Sequence, residues 1–240
     1  MTVLTFDTST AVLSLSLLDE APRARALHMV RDEGLHHAER LAGDARDILA
    51  AAGLTAADLD LVGCAAGPGS FTGLRIGMAT AKGFAAARGV PFVAVPTLDI
   101  WAELYAYMPG LVVPVIDARK RQFYAAVYRG GTRLTADLDA TPEEVMVHVS
   151  RLAVSDSEEP LFVGPDAPAF VTTAPRTEPE AAPSEGPPGW GLRVAPAADV
   201  VPSHALARLA LRRYRSEGAA ASGAAPVYVR RSDAELGGSL

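Results

Sequence analysis

Gly67-Pro68-Gly69-Ser70-Phe71-Thr72-Gly73-Leu74-Arg75-Ile76-Gly77 is the stretch from which the rest of the chain is read. It follows the apolar run Leu61-Val62-Gly63-Cys64-Ala65-Ala66 and leads into a helix-like run over 72–88, closed by Gly89. Glycines 67, 69 and 73 with Pro68 make a tight turn, because glycine accepts backbone angles closed to other residues. A strand, a Gly-rich turn and a helix in that order offer backbone N–H groups to an anion. The same arrangement also brings two helices close together.

Spacing removes the familiar enzymatic versions of such a turn. A phosphate-binding Walker loop needs Gly-Lys-Ser/Thr, and Thr72-Gly73-Leu74 stands there instead. A nucleophile elbow needs glycines two before and two after its serine, but Pro68 and Thr72 flank Ser70. The dinucleotide fingerprint is one residue shorter between its last two glycines than Gly69 to Gly73. Ser70 therefore reads as the N-cap of the following helix. That helix is small and apolar on nearly every side, so it needs cover on two faces. Gly73, Gly77 and Gly83 inside it each cost up to about 1 kcal/mol relative to alanine, which close approach of another backbone would offset. The second cover is either another helix of this chain or a second protein.

Before the turn, residues 2–6 are β-branched and apolar, and Asp7-Thr8-Ser9-Thr10 interrupts them. Leu13, Leu15 and Leu17 alternate with Ser14 and Ser16, the pattern of a half-buried strand, and 23–30 reads as a third strand. A helix follows over 35–52, with Leu41, Ala45, Ile48 and Leu49 on one face. Beyond the turn come a strand at 91–95 and a helix from Thr97, its expected N-cap, through Met108. Residues 1–108 thus read as a three-strand meander followed by alternating helices and strands.

The remainder repeats that order. Strands are expected at 111–116, 122–128 and 132–135, a helix from the capping signal Thr141-Pro142-Glu143-Glu144 to about Ala153, and a strand at 161–163. Residues 172–191 are rich in Pro, Glu and Ala without period and read as a surface loop. A helix over 203–217 and an extended segment at 226–230 close the second half, and 231–240 reads as a frayed tail. The expected organisation is a duplicated α/β fold, with one subdomain at 1–108 and the other at 109–230.

The net charge is −6, the opposite of the basic face that an autonomous nucleic-acid binder presents. A single cysteine, Cys64, excludes an internal disulfide framework, and its apolar neighbours make it a buried structural thiol. No basic segment leads into an apolar stretch at the N-terminus, and no apolar run approaches the ~20 residues of a membrane span. A cytoplasmic location and no membrane association are expected.

The runs LTFDTSTAVLSLSLLD, GLHHAERLAGDARDILAAAGL, GPGSFTGLRIGMATAKGFA, VIDARKRQFYAAVY and APVYVR together resemble the TsaB (YeaZ) family over most of the chain outside 172–191. The resemblance implies an actin-like ATPase (ribonuclease H-like) fold of two related subdomains, each a mixed sheet flanked by helices. It implies a subunit without chemistry of its own. Such a subunit pairs with the catalytic TsaD and, with TsaE, serves threonylcarbamoyl transfer to the adenosine next to the anticodon of ANN-decoding tRNAs. ATP and Mg would be used by the complex and no cofactor held by this chain. tRNA would be met indirectly, and the isolated chain would form a homodimer.

The resemblance places the partner interface on the helices at 35–52 and 72–88. Carried onto this sequence, it involves His37, Glu39, Leu41, Ala45, Ile48, Gly73, Leu74, Gly77, Met78 and Ala81. The family turn comprises Gly67, Pro68, Gly69, Ser70, Phe71, Thr72 and Arg75. Asp7, Thr8, Ser9, Asp117 and Arg119 occupy the positions of an eroded nucleotide site, where the carboxylates can simply cap turns. TsaD relatives carry an H-x-x-x-H metal pair where this chain has Pro96-Thr97-Leu98-Asp99-Ile100-Trp101, so no metal is expected. One departure is Leu41-Ala42-Gly43, where the family usually has Leu-Leu-Pro. Arg75, Lys82 and the Arg119-Lys120-Arg121 cluster are left for at most a minor share of RNA contact. The competing reading is an actin-like ATPase or small-molecule kinase that uses Asp7 and Asp117.

Overall fold

A computed structural model of the chain describes residues 1–20, 25–31, 37–155, 158–174, 193–195, 202–220 and 224–229, without the side chains of 25, 30, 31 and 37–39. The expected loop at 172–191 lies outside these residues from 175 onward, as do Arg230 and the tail 231–240. The chain divides into two compact units: Met1–Glu103 with Val201–Val227, and Leu104–Val200 with Tyr228–Leu240.

The first unit opens with the expected meander: β1 (Thr2–Asp7), β2 (Leu13–Asp19) and β3 (Arg25–Arg31). Then come α1 (His37–Ala51), β4 (Leu61–Ala65), α2 (Phe71–Arg88), β5 (Phe92–Val95) and α3 (Thr97–Glu103). The sheet order is β3-β2-β1-β4-β5, antiparallel through the meander and parallel from β1 to β5.

The second unit holds β6 (Leu111–Asp117), β7 (Phe123–Ala125), β8 (Tyr128–Arg129), β9 (Thr132–Arg133) and β10 (Leu138–Ala140). It continues with α4 (Pro142–Leu152), β11 (Leu161–Val163), α5 (Ala167–Thr173) and β12 (Arg193–Val194). Its order β10-β7-β6-β11-β12 has the same alternation, antiparallel across the first three and parallel across the last three. The duplication read from element order is therefore a duplication of topology, and the fold is the actin-like α/β arrangement.

The structure departs from the sequence reading in several places. Helix α6 (Ser203–Glu217) follows β12 in the chain but belongs to the first unit, although chain order placed it in a 109–230 subdomain. It packs across β1, β2, β4 and β5. The first sheet is thus covered on both faces, and β2 is not half-buried: Ser14 and Ser16 are as buried as the leucines between them. Small residues suit that second face. A Cβ at Gly63 would come within 3.0 Å of the Ala210 Cβ and 3.1 Å of the Thr5 Cγ2.

The run 122–128 is broken into β7 and β8, both antiparallel to β6 at different registers. The helix from Thr97 ends at Glu103 rather than Met108, and residues 104–107 form turns. Helix α5, unread in the sequence, fills the space after β11. Its Phe170 stacks on Phe162 at 4.9 Å and meets Phe123 edge-on at 5.1 Å, all three within the second core. The capping box at α4 is as read, with Thr141 and Glu144 satisfying each other's backbone N–H groups.

At the N-terminus of α6 two imidazoles meet. The rings of His28 on β3 and His204 lie 5.4 Å apart, edge to face, and the His28 Nδ1 is 3.2 Å from the Ser203 Oγ. Burial, and secondarily the neighbouring His204, hold His28 below the ordinary histidine range. The folded state therefore prefers neutral His28, a contribution present above the unfolded value of about 6.5 and lost as pH falls through the lower folded value. Denaturant unfolding of the chain should show stability declining as pH falls from about 6.5, and His28→Gln should make that decline shallower.

Candidate functional site

The Gly-rich turn sits at the carboxyl ends of β1 and β4, neighbouring parallel strands, and meets the loop that follows β1. Ser70 caps α2 as expected, its Oγ accepting the Gly73 N–H at 3.2 Å, and Gly89 ends the helix in the left-handed conformation. Thr97 does not cap α3. Its hydroxyl accepts the Gly67 N–H at 3.1 Å, and its own N–H donates to the Gly67 carbonyl at 2.7 Å.

The turn and the Asp7-Thr8-Ser9 loop are bound tightly together. Ser70 N–H donates to the Ser9 carbonyl at 2.7 Å, and the Thr8 Oγ1 donates to the Gly73 carbonyl at 2.7 Å. A Cβ on Gly69 would press into the Ser9 carbonyl, one on Gly73 into the Thr8 carbonyl, and one on Gly77 into the Thr8 hydroxyl, each inside 3.0 Å. The backbone whose close approach the glycines permit is thus the chain's own. Gly83 is different: it is exposed and a Cβ there meets nothing within 4 Å. Val227 completes the enclosure, donating its N–H to the Ala66 carbonyl at 2.7 Å and resting its carbonyl on Gly67. Lys82 bonds the Ala224 carbonyl of the same strap.

The nucleotide-site positions are consumed by these contacts. Asp7 is 2 % exposed; its Oδ1 accepts the Ser9 N–H at 2.9 Å and the Ser9 hydroxyl at 2.6 Å. Burial raises its pKa, against the lowering effect of the Ser9 bonds. Burial, then the Asp7 charge, push the Cys64 thiol up to about 12, the value of an inert structural cysteine.

In the second unit Asp117 accepts the Arg119 N–H at 2.7 Å and lies 3.2 Å from the Arg119 guanidinium, while its own N–H donates to Asp166 at 2.8 Å. A Mg-nucleotide needs oxygens and N–H groups turned toward it. At the Asp7 loop these groups are turned into the protein, and at Asp117 they close a hairpin, so the residues do not fit that ligand. Among the described residues, no three His, Cys, Asp or Glu side chains group as metal ligands.

Most of the expected interface residues lie inside the first core. Leu41, Ala45, Ile48, Leu74, Met78 and Ala81 are at most 3 % exposed, and Gly73 and Gly77 are buried against Thr8. The apolar faces of α1 and α2 lie against their own sheet. The side chains of His37 and Glu39 fall outside the described residues. The outer surface of α2 instead carries Thr72, Ala79, Gly83 and Ala86, with half-buried Ile76 in the same line, and Ala42, Arg46 and Ala50 are exposed on α1. At the head of α2, Phe71 is 50 % exposed with the Arg75 guanidinium 3.7 Å above its ring.

The hairpin from β6 to β7 holds a feature that the sequence did not announce. Arg119, Lys120 and Arg121 all have left-handed backbone angles, with φ of 64°, 56° and 60°. Such a conformation costs an L-residue with a Cβ roughly 1–2 kcal/mol. The turn is pinned by the Asp117 carboxylate and by Ala118 N–H to the Gln122 carbonyl (2.9 Å) and Gln122 N–H to the Arg119 carbonyl (3.0 Å).

Comparison with known proteins places this geometry in a family. The TsaD family model, described as tRNA N6-adenosine threonylcarbamoyltransferase, matches residues 32–167. A solved structure of YeaZ from Pseudomonas aeruginosa superposes with a TM-score of 0.74 at 28% identity, over 95% of this chain and 99% of that one. A second, described as an uncharacterized protein with similarity to peptidase YeaZ, reaches 0.71 at 30% identity over the same shares. The chain belongs to the TsaB (YeaZ) family.

Among the relatives by sequence, the Bacillus subtilis tRNA threonylcarbamoyladenosine biosynthesis protein TsaB is 32% identical over 130 residues, 54% of this chain and 56% of that protein. An uncharacterized protein of Mycobacterium tuberculosis is 37% identical over 148 residues, 59% of this chain and 69% of the relative. In a TsaB-family turn, the glycines should divide by their surroundings. Gly73→Ala and Gly77→Ala should each lower stability by about 1–3 kcal/mol through overpacking against Thr8. Gly83→Ala should raise it by up to about 1 kcal/mol, as measured by urea unfolding.

Proposed function

We propose that this chain is a non-catalytic scaffold subunit for tRNA threonylcarbamoyladenosine formation. It pairs with a TsaD-type transferase, works with TsaE, and supports threonylcarbamoyl transfer to the adenosine beside the anticodon of ANN-decoding tRNAs. The observation that carries the reading is the filled Asp7-Ser9 loop: a member of a tRNA-modification family whose phosphate position is closed by its own Gly-rich turn is suited to structural rather than chemical work. The ATPase reading would need Asp7 turned outward, and it is bonded to Ser9 beneath the turn.

The surface assigned to pairing is the outer face of α1 and α2. A line of small side chains lets a second helix approach closely, and Phe71 with Arg75 at its head supplies an aromatic and cationic anchor of the kind that dominates interfaces. The isolated chain would use the same face to form a homodimer.

The experiment is co-purification with the organism's TsaD followed by a tRNA modification assay with and without this chain. Gly83→Arg, on exposed backbone, should leave a folded monomer and weaken pairing by at least about tenfold, the effect of seating a charge in an interface core. Val147→Arg, exposed on α4, should leave pairing unchanged. Unchanged affinity in the Gly83 variant would move the contact off this face.

A further inference from the structure

Where α6 returns to the first sheet, two imidazoles and two hydroxyls gather on one face. His28 is exposed on the edge strand β3, and His204 is half-buried in the first turn of α6. Leu27 and Met29, on either side of His28, pack against the first core on the opposite face of the sheet. Ser16 stands directly opposite His28 in the β2–β3 ladder, so both side chains point to the face that α6 covers. The Ser16 Oγ is buried and has no hydrogen-bond partner among the described residues. Ser203 is fully buried, with its Oγ 3.2 Å from the His28 Nδ1.

Neutral imidazole is the commonest metal ligand, and late first-row divalent ions favour it. Zinc–nitrogen bonds of about 2.0–2.1 Å put two imidazoles on one tetrahedral ion with ring centroids roughly 5 Å apart. The centroids of His28 and His204 are 5.4 Å apart, so strand and helix already set the separation that a shared ion requires. A ligating histidine characteristically donates its other ring N–H to an oxygen, which fixes its tautomer. Ser203 is placed for that part at the His28 Nδ1, leaving the Nε2 lone pair for an ion. Among the described residues no third His, Cys, Asp or Glu joins the pair.

We propose that His28 and His204 form a binding site for a late first-row divalent cation, with zinc as the reference ion. Ser203 orients His28, water completes the coordination, and Ser16 offers its hydroxyl to that water. The site is independent of the tRNA-modification role. Two protein ligands hold an ion less firmly than the four of a structural zinc centre, so the ion exchanges. While bound, it ties the N-terminus of α6 to the edge strand and stabilises the folded first unit by mass action.

The test is calorimetric titration of the full chain with zinc chloride at neutral pH, with magnesium chloride as the oxygen-seeking control. Saturable zinc binding without magnesium binding is expected, together with a zinc-dependent rise in the thermal unfolding midpoint. His28→Gln and His204→Gln should each weaken zinc binding at least about tenfold and remove the midpoint rise, with circular dichroism showing both variants folded. The double variant His36→Gln with His37→Gln should bind zinc as the wild type does. Zinc affinity kept in both single variants would overturn the site, as would its loss in the His36 and His37 variant alone. A wild type that takes up no saturable zinc would overturn it outright.

Discussion

Everything in the first unit is arranged around the contact between Thr8 and the glycines of α2. The Thr8 carbonyl and hydroxyl occupy the space where side chains at 73 and 77 would be, and the hydroxyl donates to the Gly73 carbonyl. That contact fixes how the first turn of α2 leaves the sheet. Ser9 then receives the Ser70 N–H, Thr97 holds Gly67 from the other side, and the strap ending at Val227 closes over Ala66 and Gly67. The Asp7-Thr8-Ser9 loop is thereby bonded within the protein, through the Asp7 carboxylate, the Thr8 hydroxyl and the Ser9 carbonyl.

The sequence revealed the periodic and capped elements well because their signals are local. The meander, the Ser70 and Thr141 caps and the helix closed by Gly89 depend on residues within a turn of one another. The glycines were legible as points of close approach, but not what approaches them: an apolar helix face has the same period whether it rests on its own sheet or on a second protein. The family resemblance carries an interface onto Leu41, Ala45, Ile48, Leu74 and Met78, and these side chains are buried in the first unit's own core. The same limit explains β2, whose alternating serines look solvent-facing until α6 is seen to return from the far end of the chain to cover them. The triple left-handed turn was invisible, since nothing in Arg-Lys-Arg as a composition specifies positive φ.

With the apolar faces of α1 and α2 committed to the sheet, the outer surface of these helices carries the small residues and the Phe71–Arg75 pair. The Asp7 carboxylate is engaged by Ser9 and the Asp117 carboxylate by Arg119, so these polar groups serve the fold of their units. The second unit adds a hairpin that carries three consecutive exposed cations on left-handed backbone.

The central claim is that the phosphate position of this chain is closed by its own turn, and calorimetric titration of the isolated protein with Mg-ATP tests it most directly. No saturable heat and no phosphate release over hours are expected. Stoichiometric, Mg-dependent binding accompanied by turnover that is lost in Asp7→Asn would contradict it, and would make the chain an enzyme in its own right.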